Sequence, residues 1–196
     1  MKKILIVLLS AIISFSMLGS ALADEAKKSK CLEAIEFLTG FIWGGKLQAQ
    51  KNYRQVPFIA AFDFNLKPLT EKIKFNPRSL LQFQIEPSVS YITSPHSNVE
   101  LGTMFFFKAG ILPQTSKFQP YVKAGVGMLY MTLHTREQST QFNFQEQGGV
   151  GFHYFFRKNL AFTLEGRFRH LSNAGIGSRN HGINTIHALA GLTYQF

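Results

Sequence analysis

The sequence predicts an all-β protein, an eight-stranded antiparallel transmembrane β-barrel, on three observations. Stretches of roughly ten residues alternate apolar and polar side chains with period two, the mark of a strand with two unlike faces. Aromatic residues reach 14% with 20 Phe, yet mean hydropathy is +0.01, and the one long apolar run lies at the N-terminus. The alternating stretches number eight, an even count that lets antiparallel strands close with no edge left unpaired in lipid. A length of 196 residues bounds the chain to one domain with a short appendage, and the aromatic load excludes a disordered polar chain.

Taken in order, residues 1–23 read as a cleaved export signal. Lys2 and Lys3 precede an apolar stretch, and Ala21-Leu22-Ala23 fits the small-x-small cleavage pattern. The polar run at 24–30 follows at once and weighs against an uncleaved anchor. Residues 24–33 are then a short periplasmic segment and 34–196 the barrel. Cys31 is the only cysteine, which excludes an intrachain disulfide. Its Lys-Ser-Lys-Cys setting lacks the apolar and small residues that precede a lipidated cysteine.

The strands are expected near 35–47, 58–66, 81–91, 101–111, 120–132, 142–156, 160–172 and 184–196. The third is the clearest: Leu81, Phe83, Ile85, Val89 and Tyr91 alternate with Gln82, Gln84, Glu86, Ser88 and Ser90. A soluble sandwich would also alternate. Membrane placement rests on the aromatic apolar face, on ionisable residues opposite it (Asp63, Glu86, Lys108, Lys123, Glu165, Arg167) that would pair inside a narrow barrel, and on the ending Leu192, Tyr194, Phe196. Eight strands enclose a lumen that side chains fill, which disfavours a water-filled channel. With both termini periplasmic, the connections at 48–57, 94–98, 133–141 and 173–183 face outward, and the seventh strand ends at the outer interface. Gly125, Gly127, Gly149 and Gly151 fall at inward positions, where they would relieve crowding.

On that seventh strand Leu160, Phe162, Leu164, Gly166 and Phe168 form the lipid face, and His170 and Ser172 continue its parity. Two residues of strand rise place their Cα atoms ~6–7 Å apart. A weak nucleophile beside a general base is the arrangement that ester cleavage needs. Polar residues closing a lipid-facing stripe are costly unless they sit at the interface or act chemically. On pattern alone, ordinary loop-entry residues are the better explanation.

The stretch Arg167-Phe168-Arg169-His170-Leu171-Ser172-Asn173-Ala174-Gly175, followed by Asn184 and the terminal strand, resembles the lipid A 3-O-deacylase (PagL-type) family of outer-membrane enzymes. The resemblance implies hydrolysis of the ester-linked 3-hydroxyacyl chain at the 3 position of lipid A. It implies a Ser–His–acid triad on the outer wall, with no metal or other cofactor. Carried over, Ser172 is the nucleophile, His170 its base, and the Asn173 side chain and Gly175 backbone amide the oxyanion donors. The family's acid, a glutamate, falls on Asn184, which can orient a histidine but brings no full charge to an imidazolium. The partner implied is lipopolysaccharide of the outer leaflet, and a homodimer is compatible with the family.

Register supplies a rival for Asn184. If Phe156 pairs with Leu160 across the short turn, Glu146 lies opposite His170 on the outer face; setting Asn184 opposite His170 aligns Phe196 with Lys158. Asn184 and Glu146 would then flank His170, with the support of either left open.

The formal charge is +10, and loss of the two signal lysines leaves 19 basic against 11 acidic residues, or +8. The basic residues are scattered and no base-stacking motif gathers them, so nucleic acid is not the expected partner. His96, His134, His153, His181 and His187 show no metal-ligand spacing. Two non-enzymatic readings stand beside the deacylase. One is a barrel that binds host or envelope components through its outer loops, the other an inactive relative that binds lipid A without cleaving it.

Overall fold

The computed structural model describes residues 31–196; the expected export signal and the 24–30 run lie outside the described residues. Eight strands follow one another around a closed barrel, each paired with its sequence neighbours and the last with the first. They are β1 (Leu32–Lys46), β2 (Asn52–Asn65), β3 (Ser79–Ser94), β4 (Asn98–Pro113), β5 (Phe118–Met131), β6 (Phe142–Phe155), β7 (Leu160–Ser172) and β8 (Ile183–Gln195). All pairings are antiparallel. A short helix, α1 (Lys67–Thr70), and a 3-10 turn over Glu71–Ile73 cross from β2 to β3 with no buried residue.

Several strands start earlier than the sequence reading placed them. β1 begins at Leu32, inside the segment expected to precede the barrel. β2 begins at Asn52 rather than 58, so the expected 48–57 loop shrinks to a tight turn. The missed residues are mostly polar, and they belong to the sheet because Tyr53 and Gln55 point inward and are fully buried. Both donate to Glu100 on β4, Gln55 Nε2 at 3.0 Å from its Oε1.

Alternation settles the faces. On β7, Phe168 is 52% exposed and Arg169 3%. Outward positions carry the aromatic wall (Phe37, Phe41, Trp43, Phe58, Phe107, Phe142, Phe162, Phe168). Inward positions carry charge that is matched inside the lumen. Lys108 meets Glu36 and, at 3.1 Å, Asp63. Lys123 meets Glu86 at 3.2 Å and Glu165 at 3.0 Å. Arg167 grips both oxygens of Glu86 at 2.6 and 2.8 Å and also pairs with Glu165. Arg169 meets Glu100 at 2.9 Å. Charges this dry persist only when paired and hydrogen-bonded.

The glycines expected inside are pressed against their neighbours. A Cβ on Gly125 would lie 2.1 Å from the Phe105 carbonyl oxygen, and one on Gly151 would lie 2.8 Å from the Tyr121 ring. Such positions leave the narrow lumen to Phe106, Tyr121 and Arg167. Toward the end that carries the 133–141 and 173–182 loops, the lumen changes from ionic to apolar. Leu47, Tyr53, Ile92, Leu129, Met131, Leu133, Leu171 and Ile183 form a buried plug there. Leu171 and Ile183 pair across β7 and β8, so the residues alternating with them project outward from an anchored stretch of sheet.

Candidate active site

The start of β6, the end of β7 and the start of β8 bring Glu146, His170, Ser172 and Asn184 to one face of the wall. Glu146 pairs with His170, His170 with Asn184, and Phe144 with Ser172, the register expected from the sequence. His170 and Ser172 are half-buried, Asn184 and Glu146 exposed. Leu171 between the two is completely buried, so the imidazole and the hydroxyl lie on the face opposite the plug.

The rivalry for His170 has a geometric answer. Its Nδ1 lies 2.6 Å from Asn184 Oδ1. A carboxamide oxygen only accepts, so Nδ1 is the donor of this bond, an arrangement that in a neutral imidazole leaves the lone pair on Nε2. Among the described residues Glu146 makes no ion pair with His170. Glu146 is His170's strand neighbour on the same face, and its side chain is exposed. Ser172 Oγ makes no hydrogen bond among the described residues.

The two expected oxyanion donors are engaged with each other and with the loop that carries them. Asn173 is 0% exposed and belongs to the inward parity of β7. Its Nδ2 donates to the Arg179 carbonyl at 2.8 Å, and its Oδ1 accepts the Gly175 N–H at 3.0 Å. The Asn173 N–H donates to Asn180 Oδ1 at 2.9 Å. These bonds fold residues 173–180 back on themselves, so Asn173 is the staple of the loop and Gly175 is held by it.

The same loop is fastened to the β5–β6 loop. Ser139 N–H donates to the Arg179 carbonyl at 3.1 Å, and Arg179 N–H to Ser139 Oγ at 3.2 Å. His181 N–H donates to the Glu137 carbonyl at 2.9 Å, and Gln138 bridges Asn180. Glu137 Oε1 in turn accepts Gln48 N–H at 2.5 Å. None of this cross-loop pairing was legible in the sequence, where both segments read simply as turns. Among the described residues no group of three or more His, Cys, Asp or Glu is placed to hold a metal. The wall beside Ser172 is apolar across two strands: through paired neighbours, Phe144 and Met128 continue its row across β6 and β5, and Thr103 follows on β4.

Comparison with known proteins adds two findings. A family model described as lipid A 3-O-deacylase (PagL) matches residues 39–193. The chain resembles the crystal structure of the outer membrane enzyme PagL with a TM-score of 0.59 at 14% identity, covering 83% of this chain and 99% of that one. It resembles Neisserial surface protein A almost as well, with a TM-score of 0.57 at 12% identity over 83% and 96% of the two chains. The N-terminal β-barrel domain of Pseudomonas aeruginosa OprF follows at 0.50 and 11%, over 85% and 99%. No curated protein matches by sequence. At these identities the solved structures speak for the shared barrel alone.

Proposed function

The chain belongs to the lipid A 3-O-deacylase family, and from that premise we propose that it hydrolyses the ester-linked 3-hydroxyacyl chain at the 3 position of lipid A with Ser172 as nucleophile and His170 as base. One observation carries the mechanism: His170 is held by Asn184 in the base tautomer, on the same outer face as a serine whose hydroxyl has no competing partner. Lipid A approaches sideways from the outer leaflet, its acyl chains lying on the aromatic wall. Contact of that kind supplies ~25 cal/mol per Å² of apolar surface removed from water.

Ser172 Oγ attacks the ester carbonyl carbon while His170 Nε2 takes its proton. The tetrahedral intermediate collapses, the C–O bond to the sugar breaks, and His170 returns the proton to the departing hydroxyl. Water, deprotonated by the same Nε2, then cleaves the acyl-enzyme. The products are a 3-hydroxy fatty acid and a lipid A lacking that chain, with Ser172 restored. Asn184 holds the imidazolium by a hydrogen bond from Nδ1 instead of by a full opposing charge. Gly175 serves as an oxyanion donor in this scheme only when its N–H leaves Asn173 Oδ1 for the substrate oxygen, with Asn173 acting through the loop.

A second reading is a relative that binds lipid A without cleaving it, and the engagement of both expected oxyanion donors favours it. Mass spectrometry of lipid A from cells expressing the wild type or Ser172→Ala separates the two. The deacylase predicts loss of one 3-hydroxyacyl group with the wild type alone. Identical spectra for the two strains would leave the binding barrel.

A further inference from the structure

Gly182 lies in the strap that runs from Asn180 into β8, two residues before Asn184. Its φ is +73°, a conformation in which side chains are strained. More telling is what faces it. A Cβ built on Gly182 would stand 2.5 Å from His170 Cε1, 3.2 Å from Nε2 and 3.4 Å from Nδ1. Every one of those atoms belongs to the imidazole. The first distance is below any real carbon contact, and the ring is flanked by β-sheet neighbours on both sides.

We propose that Gly182 is a positioning residue: its bare Cα forms a stop against which the His170 ring rests, so that the ring is held at Nδ1 by Asn184 and at Cε1 by the strap. The inference rests on His170 being the base. It gives the loop pairing a purpose. The His181 N–H bond to the Glu137 carbonyl, the Asn180 bridge to Gln138 and the Asn173 N–H bond to Asn180 Oδ1 fix the strap at the residues just before Gly182. An imidazole on an outer wall has no core around it, and an unconstrained ring would turn about χ1 and χ2 away from the serine. Contact from the strap replaces the packing that a buried histidine would get from its surroundings. Misplacing a base by about an ångström costs on the order of 10²-fold in rate, so one methyl at position 182 is enough to matter.

The test uses the full-length barrel in detergent micelles with lipid A as substrate. Gly182→Ala is expected to lower kcat at least tenfold while KM stays within twofold, because the wall that holds the acyl chains is untouched. Nitrogen NMR of ¹⁵N-histidine-labelled protein, with the His170 signals assigned by their loss in His170→Gln, should show the Nδ1-protonated tautomer in the wild type and a changed tautomer balance in Gly182→Ala. Gly175→Ala gauges the stability cost of a positive φ alone, since Gly175 has φ +78° and open space at its Cβ; a similar shift in thermal unfolding for both variants shows that the kinetic loss is not global unfolding. If Gly182→Ala does not fold, Asn180→Ala loosens the same strap without adding atoms and should lower kcat at least threefold with the same NMR change. Wild-type kcat and unchanged histidine signals in the folded variant overturn the inference if Ser172→Ala is inactive. If Ser172→Ala keeps full activity, the assignment of the site itself fails first.

Discussion

The two faces of β7 carry similar chemistry and use it in opposite ways. Inward, Glu165, Arg167 and Arg169 are nearly inaccessible and each is ion-paired, Arg167 to two carboxylates at once. Outward, at the end of the same strand, the side chains of His170 and Ser172 make one hydrogen bond among the described residues, between His170 and Asn184. In the lumen a polar group exists to satisfy another polar group, and removing it leaves a buried orphan. On the wall a polar group satisfies almost nothing, so its presence among phenylalanines calls for a chemical reason. The contrast fits the proposed function: stability lies inside, and the proposed chemistry lies outside, on alternate residues.

Substitutions on the two faces should therefore separate activity from stability. The largest effect is expected for Ser172→Ala, a loss of about 10³-fold or more in lipid A hydrolysis with an unchanged urea unfolding curve. A shifted curve would break the contrast. Arg167→Met is the mirror case. It leaves Glu86 and Glu165 to share Lys123 alone and should cost about 3–5 kcal/mol in equilibrium unfolding, while the specific activity of the folded fraction is retained. Asn184→Ala removes a hydrogen bond that becomes charge-assisted when His170 is protonated, and kcat should fall about 10–100-fold. Asn184→Glu places a full charge at the same point, and a rise in kcat of about tenfold is expected, since charge-assisted bonds are about twice as strong. Glu146→Gln should change kcat by less than about twofold, as for an exposed wall charge with no partner. A tenfold loss there would make Glu146 the acid after all.

Much of this was legible in the sequence because period two is a local property. The lipid and lumen faces of β7, the eight-strand count, and the opposition of Glu146 to His170 follow from alternation plus one short turn at 157–159, whereas Asn184 was set opposite His170 in a register that aligns Phe196 with Lys158. The start of β2 did not follow. Tyr53 and Gln55 look like loop residues until Glu100 is placed across the lumen from them, 45 positions away from Gln55 in the chain. The partners of the interior cations were equally hidden. Which carboxylate Lys108 meets depends on how far the strands tilt around the closed sheet, and Asp63 is 45 positions from it.

At the site the division is finer. The residues alone put His170, Ser172, Asn184 and Glu146 on one outer face, because a pleated strand fixes which side each side chain leaves from. Only the tertiary structure chose Asn184 over Glu146 as the partner of Nδ1, turned Asn173 inward to staple its own loop, and laid Gly182 against the imidazole. Those outcomes turn on rotamers and on the docking of one loop against another. Such contacts are set by packing between segments distant in the chain, on which the alternation of a strand carries no information.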